Sequence, residues 1–285
     1  MKWQGRRGSD NIEDRRAAGG RISGRSAGVG GVGVLVVVLI GAFFGVDLTP
    51  LLDQGGGTVQ QGGTVEITEA DQQAAEFVSV TLADTEEVWA RVFQDQLGRT
   101  YDPATLVLFK EATNSACGGA SEATGPFYCP GDQKVYLDTS FFVTMSEQLG
   151  ARGDFASAYV VAHEIGHHVQ DELGILGKAN EIRARSSEVE SNEISVRIEL
   201  QADCFSGIWA KSAEKMFGSL DRGDIEEALN AAKQIGDDTL QREAGRRPMP
   251  DSFTHGTSEQ RMTWFGNGYA SGDVQACDTF SAKRL

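Results

Sequence analysis

Three of the chain's four histidines fall between His163 and His168, within the stretch VVAHEIGHHVQ that runs from Val160 to Gln170. The stretch has no proline, and its apolar residues Val160, Val161, Ile165 and Val169 recur at the spacing of a buried helix. Residues four apart on a helix share a face, with Cβ atoms about 5 to 6 Å apart, so His163 and His167 can hold one ion between them. Glu164 completes the pattern H-E-x-x-H, the short signature of a zinc hydrolase. The pattern alone is incomplete, because a catalytic zinc takes three protein ligands and leaves a position for water.

The third ligand is expected on a later helix, among acids that face inward. Glu199 and Asp203 in IELQADCF are four apart and share a face, with Ile198, Leu200, Ala202 and Phe205 around them. Carboxylates in so apolar a run are costly unless paired or bound to a metal. Glu188, Glu190 and Glu193 fit a solvated face better. With Glu199 as ligand the set becomes His, His and Glu plus water, a known catalytic zinc set. Asp203 is then placed to accept the free ring N–H of a ligating histidine, which fixes the tautomer and raises ligand basicity. The reverse assignment, with Asp203 on the metal and Glu199 orienting it, uses the same two residues.

These residues need a frame. At 285 residues with 40% hydrophobic content, the chain can build a proper core in one or two domains. Helical periodicity is expected from about Ile67 to Leu97, near Arg197 to Phe217 and at Asp224 to Ile235. Thr257 followed by Gln260 fits a capping box and predicts a further helix start. Short strand-like runs lie at Leu106 to Phe109 and Lys134 to Leu137. The expected fold is therefore mainly α with a small β-sheet, an α+β domain over residues 67–285.

The N-terminal part reads differently. Residues 1–27 are basic, and residues 28–46, GVGGVGVLVVVLIGAFFGV, contain no charge. The apolar run falls within the length of about 17 to 25 residues that spans a bilayer as a helix. It is read as a retained transmembrane anchor, followed by a Gly- and Gln-rich flexible linker over 47–66. Basic residues before the run place the N-terminus in the cytoplasm and the domain outside the cell membrane, a single-pass arrangement with the bilayer as one partner. Four cysteines suit an oxidising compartment. Cys117 and Cys129 bracket a loop that a bridge would close, and Cys204 and Cys277 remain for each other. The formal charge of −15 argues against nucleic acid as a partner. No internal repeat is present.

VVAHEIGHHVQ, ELQADCFSGIWA, the opening MKWQGRRGSDN and GPFYCPGDQKVYLD together resemble the bacterial neutral zinc metallopeptidase family, over nearly the whole chain apart from the linker. The order H-E-x-x-H then E-x-x-x-D is also similar to the gluzincin arrangement of thermolysin and of HtpX-type membrane peptidases. The resemblance implies a zincin-like fold, peptide hydrolysis, Glu199 as third ligand and Asp203 behind the ligands. DSFTHGTSEQR resembles the T-H-P-x-x-x-x-R stretch of the membrane peptidases, with Arg261 at the arginine position and Gly256 in place of the proline.

The chemistry expected is attack of a zinc-activated water on a peptide carbonyl, with Glu164 as the general base and one zinc per chain on His163, His167 and Glu199. His255, on a loop before the predicted helix start, is the candidate oxyanion donor. Tyr159, Tyr136 and Tyr269 are weaker candidates for that task. His168 lies about 100° around the helix from His167 and is read as structural. KVYLD is read as a sheet edge to which a peptide substrate adds as a strand. The reading is a membrane-anchored zinc endopeptidase. Its alternative is a catalytically inactive zinc-binding scaffold that binds an envelope protein through the same cleft. Glu164 favours the enzyme, since a purely structural zinc site needs no base beside its ligand.

Overall fold

The computed structural model describes residues 1–18, 66–121 and 124–285. They divide into two compact units, one built from Asp10–Glu76 and Ala104–Thr144, the other from Met1–Ser9, Phe77–Pro103 and Met145–Leu285. The expected α+β class holds, mainly helical with a small sheet.

The first unit carries the sheet. Strands β1 (Ile12–Asp14), β2 (Thr105–Phe109), β5 (Phe127–Cys129) and β6 (Lys134–Asp138) lie in the order β1-β2-β6-β5. β2 runs parallel to β1 and β6, and β5 runs antiparallel to β6. Val107, Phe109, Ala120, Cys129 and Tyr136 form its core. Strands β3 (Ala112–Ser115) and β4 (Gly118–Ser121) form a separate antiparallel hairpin, which the Cys117–Cys129 disulfide ties to β5. The strand KVYLD is β6, paired with β2 on one side and β5 on the other. Lys134–Tyr136 are thus paired on both sides, and the expectation that this strand is a sheet edge for substrate is corrected.

The second unit is helical. It takes the long helix α1 (Glu69–Val92) from Phe77 onward and the end of the short α2 (Phe141–Glu147) from Met145, followed by α3 (Asp154–Glu172), α4 (Ile175–Arg183), α5 (Glu188–Phe217), α6 (Asp224–Gln234), α7 (Asp237–Glu243) and α8 (Ser258–Ser271). Helix α3 is buried nearly all round, from Phe155 to Gly166 and again from His168 to Gln170, so its polar members His163, Glu164 and Gln170 lie inside the unit with the apolar ones. Phe155 stacks on Trp209, Trp89 meets Phe205 edge-on, and Tyr159 meets Phe265. At Gly166 an added Cβ would lie 3.0 Å from the Ala202 carbonyl oxygen and 3.1 Å from its Cα. A glycine between the two motif histidines thus lets α3 approach the backbone of α5 at the turn that carries Glu199 and Asp203.

Helix α5 starts nine residues before Arg197, where the apolar pattern suggested it, because Ser187 and Glu190 form a reciprocal capping box. The box expected at Thr257 and Gln260 starts α8. Cys204 on α5 and Cys277 form the second disulfide.

Residues Met1–Ser9 pack within this helical unit. The Met1 amino group lies 2.9 Å from Asp154 Oδ1 and 3.3 Å from Asp224, at the first turns of α3 and α6. Arg6 binds Asp84 through two nitrogens at 2.6 Å each and covers the Phe217 ring, and Trp3 packs edge-on against Phe77. This overturns the expected topology. Among the described residues no helix is long and apolar enough to cross a membrane. A single crossing between residues 27 and 47 would also put Met1–Ser9 on the opposite side from helices they touch. The apolar run 28–46 and the Gly-rich linker after it lie outside the described residues. The expectation of a single-pass cell-membrane protein with a cytoplasmic N-terminus and an external domain is therefore withdrawn, together with the bilayer as partner.

Candidate metal centre and catalytic site

His163 and His167 stand one turn apart on α3, and Glu199 projects toward them from α5. The three offer one ligand atom each, all within 4.8 Å of one another. Glu199 Oε2 lies 3.1 Å from His163 Nε2, and Oε1 lies 3.6 Å from His167 Nε2. The two Nδ1 atoms point away from this cluster, to Asp203 Oδ1 at 2.8 Å and to Gln170 Oε1 at 2.9 Å. Both rings thus present Nε2 to one point, the arrangement of a His, His, Glu zinc set with oxygen acceptors behind the rings.

Asp203 is fully buried and fully engaged. Arg261 donates to it from Nε at 2.8 Å and from Nη2 at 2.9 Å, His163 approaches Oδ1, and the Tyr159 hydroxyl also donates to Oδ1. Its Oδ1 is taken by three partners and its Oδ2 by Arg261, and the cluster able to share an ion is His163, His167 and Glu199, so the geometry favours Glu199 over Asp203 as ligand. Arg261 also donates to the Tyr159 hydroxyl at 3.2 Å. Tyr159 is consequently part of the support behind His163 and is not aimed at a substrate. Tyr136 lies in the sheet unit, where its hydroxyl donates to Asp132 at 2.7 Å. Tyr269 is two turns beyond Arg261 on α8 and half-buried.

The charges explain why a cation belongs here. Burial opposes charge on every member, yet Asp203 and Glu199 overcome it and raise His163 to about 10. Burial likewise works against His167, which Glu199 nevertheless raises. Glu199 is held well below the usual carboxylate range: burial alone would raise it, but His167 and His163 keep it ionised. Asp203 is lowered to about 2, because Arg261 and His163 outweigh its burial. Without a metal the pocket therefore binds protons strongly, and a divalent cation can replace them.

Glu164 is buried on α3 beside His163, and its carboxylate acts electrostatically on His167 across the pocket. His168 faces elsewhere: Nε2 meets the Asp102 carbonyl oxygen at 2.7 Å and the ring lies edge-on to Tyr101.

His255 sits on the loop before α8, close enough to Glu199 for their charges to shift each other. The residue that holds this loop is Asp237, at the first turn of α7. Its Oδ2 accepts the backbone N–H of Thr254, His255 and Gly256 at 2.8, 2.7 and 3.0 Å, and its Oδ1 lies 3.2 Å from His255 Nδ1. Gly256 adopts φ +92°, a conformation closed to proline and open to glycine. The rigidity that a proline would supply comes instead from the Asp237 carboxylate. Sequence reasoning missed Asp237 because it lies on a seven-residue helix without an apolar stripe. It also missed Gln170, although a polar residue three places after His167 in a buried helix was a readable sign.

The sequence matches the family described as "putative neutral zinc metallopeptidase" over residues 1–280. It is 49% identical over 286 residues to "Uncharacterized protein YpfJ" of Escherichia coli K12, covering 98% of this chain and 99% of that one. It is 43% identical over 195 residues to "Uncharacterized protein Rv2575" of Mycobacterium tuberculosis H37Rv, covering 65% of each chain. No solved structure matches.

Proposed function

This chain belongs to the neutral zinc metallopeptidase family, and from that premise we propose that it is a zinc-dependent endopeptidase with one zinc per chain on His163, His167 and Glu199. The observation that carries this reading is the orientation of both imidazoles. Each turns Nδ1 to an oxygen acceptor and Nε2 to the Glu199 carboxylate. The donor set, two imidazoles and one carboxylate on two helices in contact, fits zinc.

Zinc held there supplies Lewis acidity, which lowers the pKa of water from about 15.7 to about 7 and polarises a carbonyl. The chain's own groups do the rest. Glu164 takes the proton of the attacking water and returns it to the leaving amine. His255 donates to the oxyanion that develops on the scissile carbonyl, while Asp237 fixes its ring and loop. Asp203 and Arg261 keep His163 in the tautomer that presents Nε2.

Metal removal and pH test the reading together. Protein stripped with a chelator should lose peptide cleavage and regain it on titration with one equivalent of zinc. In the metal-free pocket His163 titrates near 10 instead of near 6.5, so at pH 7 it carries a proton that binding must displace. Apparent zinc affinity should therefore climb with pH throughout the range below about 10, by up to about tenfold per pH unit for each proton released. Chelator competition at pH 6, 7 and 8 measures this. Affinity that is flat or falls over that range contradicts the ligand assignment.

A further inference from the structure

Behind His167 lies a buried chain of amides. His167 Nδ1 is 2.9 Å from Gln170 Oε1. Gln170 Nε2 donates to the Ile198 carbonyl at 2.7 Å and to Gln201 Oε1 at 3.1 Å. Gln201 Nε2 in turn donates to the Cys277 carbonyl at 2.9 Å. Gln170 is 0% and Gln201 4% exposed, so water does not compete for these bonds.

The direction of every proton in this chain is decided at two main-chain carbonyls, which can only accept. Cys277 O takes the Gln201 amide hydrogen, which leaves Gln201 Oε1 toward Gln170. Ile198 O and Gln201 Oε1 take both Gln170 amide hydrogens, which leaves Gln170 Oε1 toward His167. Turning the Gln170 amide over would set its oxygen against the Ile198 carbonyl and leave a buried repulsion. His167 Nδ1 must then carry the hydrogen, and its lone pair is at Nε2, on the side of Glu199. Cys277 is itself fastened to α5 by its disulfide to Cys204, so the far end of the chain is anchored one residue from Asp203, the group that orients His163.

We propose that Gln170 and Gln201 are positioning residues for the metal site. They hold His167 as the Nδ1–H tautomer with Nε2 toward zinc, and the Cys204–Cys277 disulfide fixes the carbonyl from which that orientation is set. The inference rests on His167 being a zinc ligand, as proposed above. It extends that reading to a support for the second histidine that is separate from Asp203 and Arg261.

The test is zinc affinity by chelator competition, with thermal stability of the zinc-free proteins measured alongside. Removing a group that orients a ligand typically costs 10- to 100-fold in metal affinity, and Gln170→Leu should show about that loss. Gln170→Glu keeps an acceptor for His167 but sets a carboxylate against two acceptor oxygens. It should bind zinc within about threefold of wild type while melting lower. Gln201→Leu leaves Ile198 to orient Gln170 and should lose less affinity than Gln170→Leu. Gln170→Leu that binds zinc like wild type overturns the proposal and leaves the peptidase reading intact. So does Gln170→Glu affinity that falls in step with stability, which would mark the amides as packing alone. Wild type that takes up no zinc overturns the site reading itself, and this inference with it.

Discussion

Glu164→Gln is expected to leave the protein folded and its zinc bound while peptide cleavage falls by about 10² to 10⁴, the usual worth of a general base. The side chain lies beside His163 on a helix buried almost all round, and glutamine has nearly the volume of glutamate, so the packing of α3 against α5 is preserved. The metal cluster consists of His163, His167 and Glu199 without Glu164, so the change removes no ligand. What disappears is a carboxylate able to accept a proton from water and hand it on. Zinc content and cleavage of a broad peptide library, measured on one preparation, separate these effects. Equal rates for wild type and Glu164→Gln would show that Glu164 is not the base. Zinc-loaded wild type with no activity above background on that library or on unfolded protein would favour a zinc-binding scaffold.

Arg261→Met is expected to cost about 3 to 5 kcal/mol of folding stability, because it strips one partner from a buried ion pair and leaves the other uncompensated. Arg261 and Asp203 are 2% and 0% exposed. Two guanidinium nitrogens meet the two carboxylate oxygens at 2.8 and 2.9 Å. Asp203 also orients His163, so zinc affinity should fall with stability. Arg261→Lys retains the charge but lacks the planar fork, and should lie between wild type and Arg261→Met. Denaturant unfolding of the three proteins measures the difference. A loss below about 1 kcal/mol for Arg261→Met would mean that the pair is not what holds α8 and α5 together at the site.

The part of this site that could be read from sequence is the part written in local periodicity. His163, Glu164 and His167 follow from spacing on one helix, and Glu199 and Asp203 from carboxylates in an apolar run. The start of α8 follows from the Thr257 and Gln260 box. What escaped depends on partners distant in the chain. Gln170 matters because of a carbonyl at Ile198 and an amide at Gln201, and Asp237 because three N–H groups of another loop converge on it. Strand β1 is only the three residues IED. With two acids it has no strand-like pattern, and it exists because β2 offers a parallel partner. The topology error has the same origin. The composition of the apolar run alone points to an anchor, whereas the placement of Met1–Ser9 is set by Asp84, Asp154, Asp224 and Phe77.

The zinc content of purified wild type and His163→Ala, determined side by side by elemental analysis, tests the central claim most directly. The account predicts one equivalent of zinc per chain in wild type and far less in His163→Ala, since the variant keeps only His167 and Glu199 of the three ligands. A full equivalent retained by His163→Ala, or none bound by wild type, would contradict it.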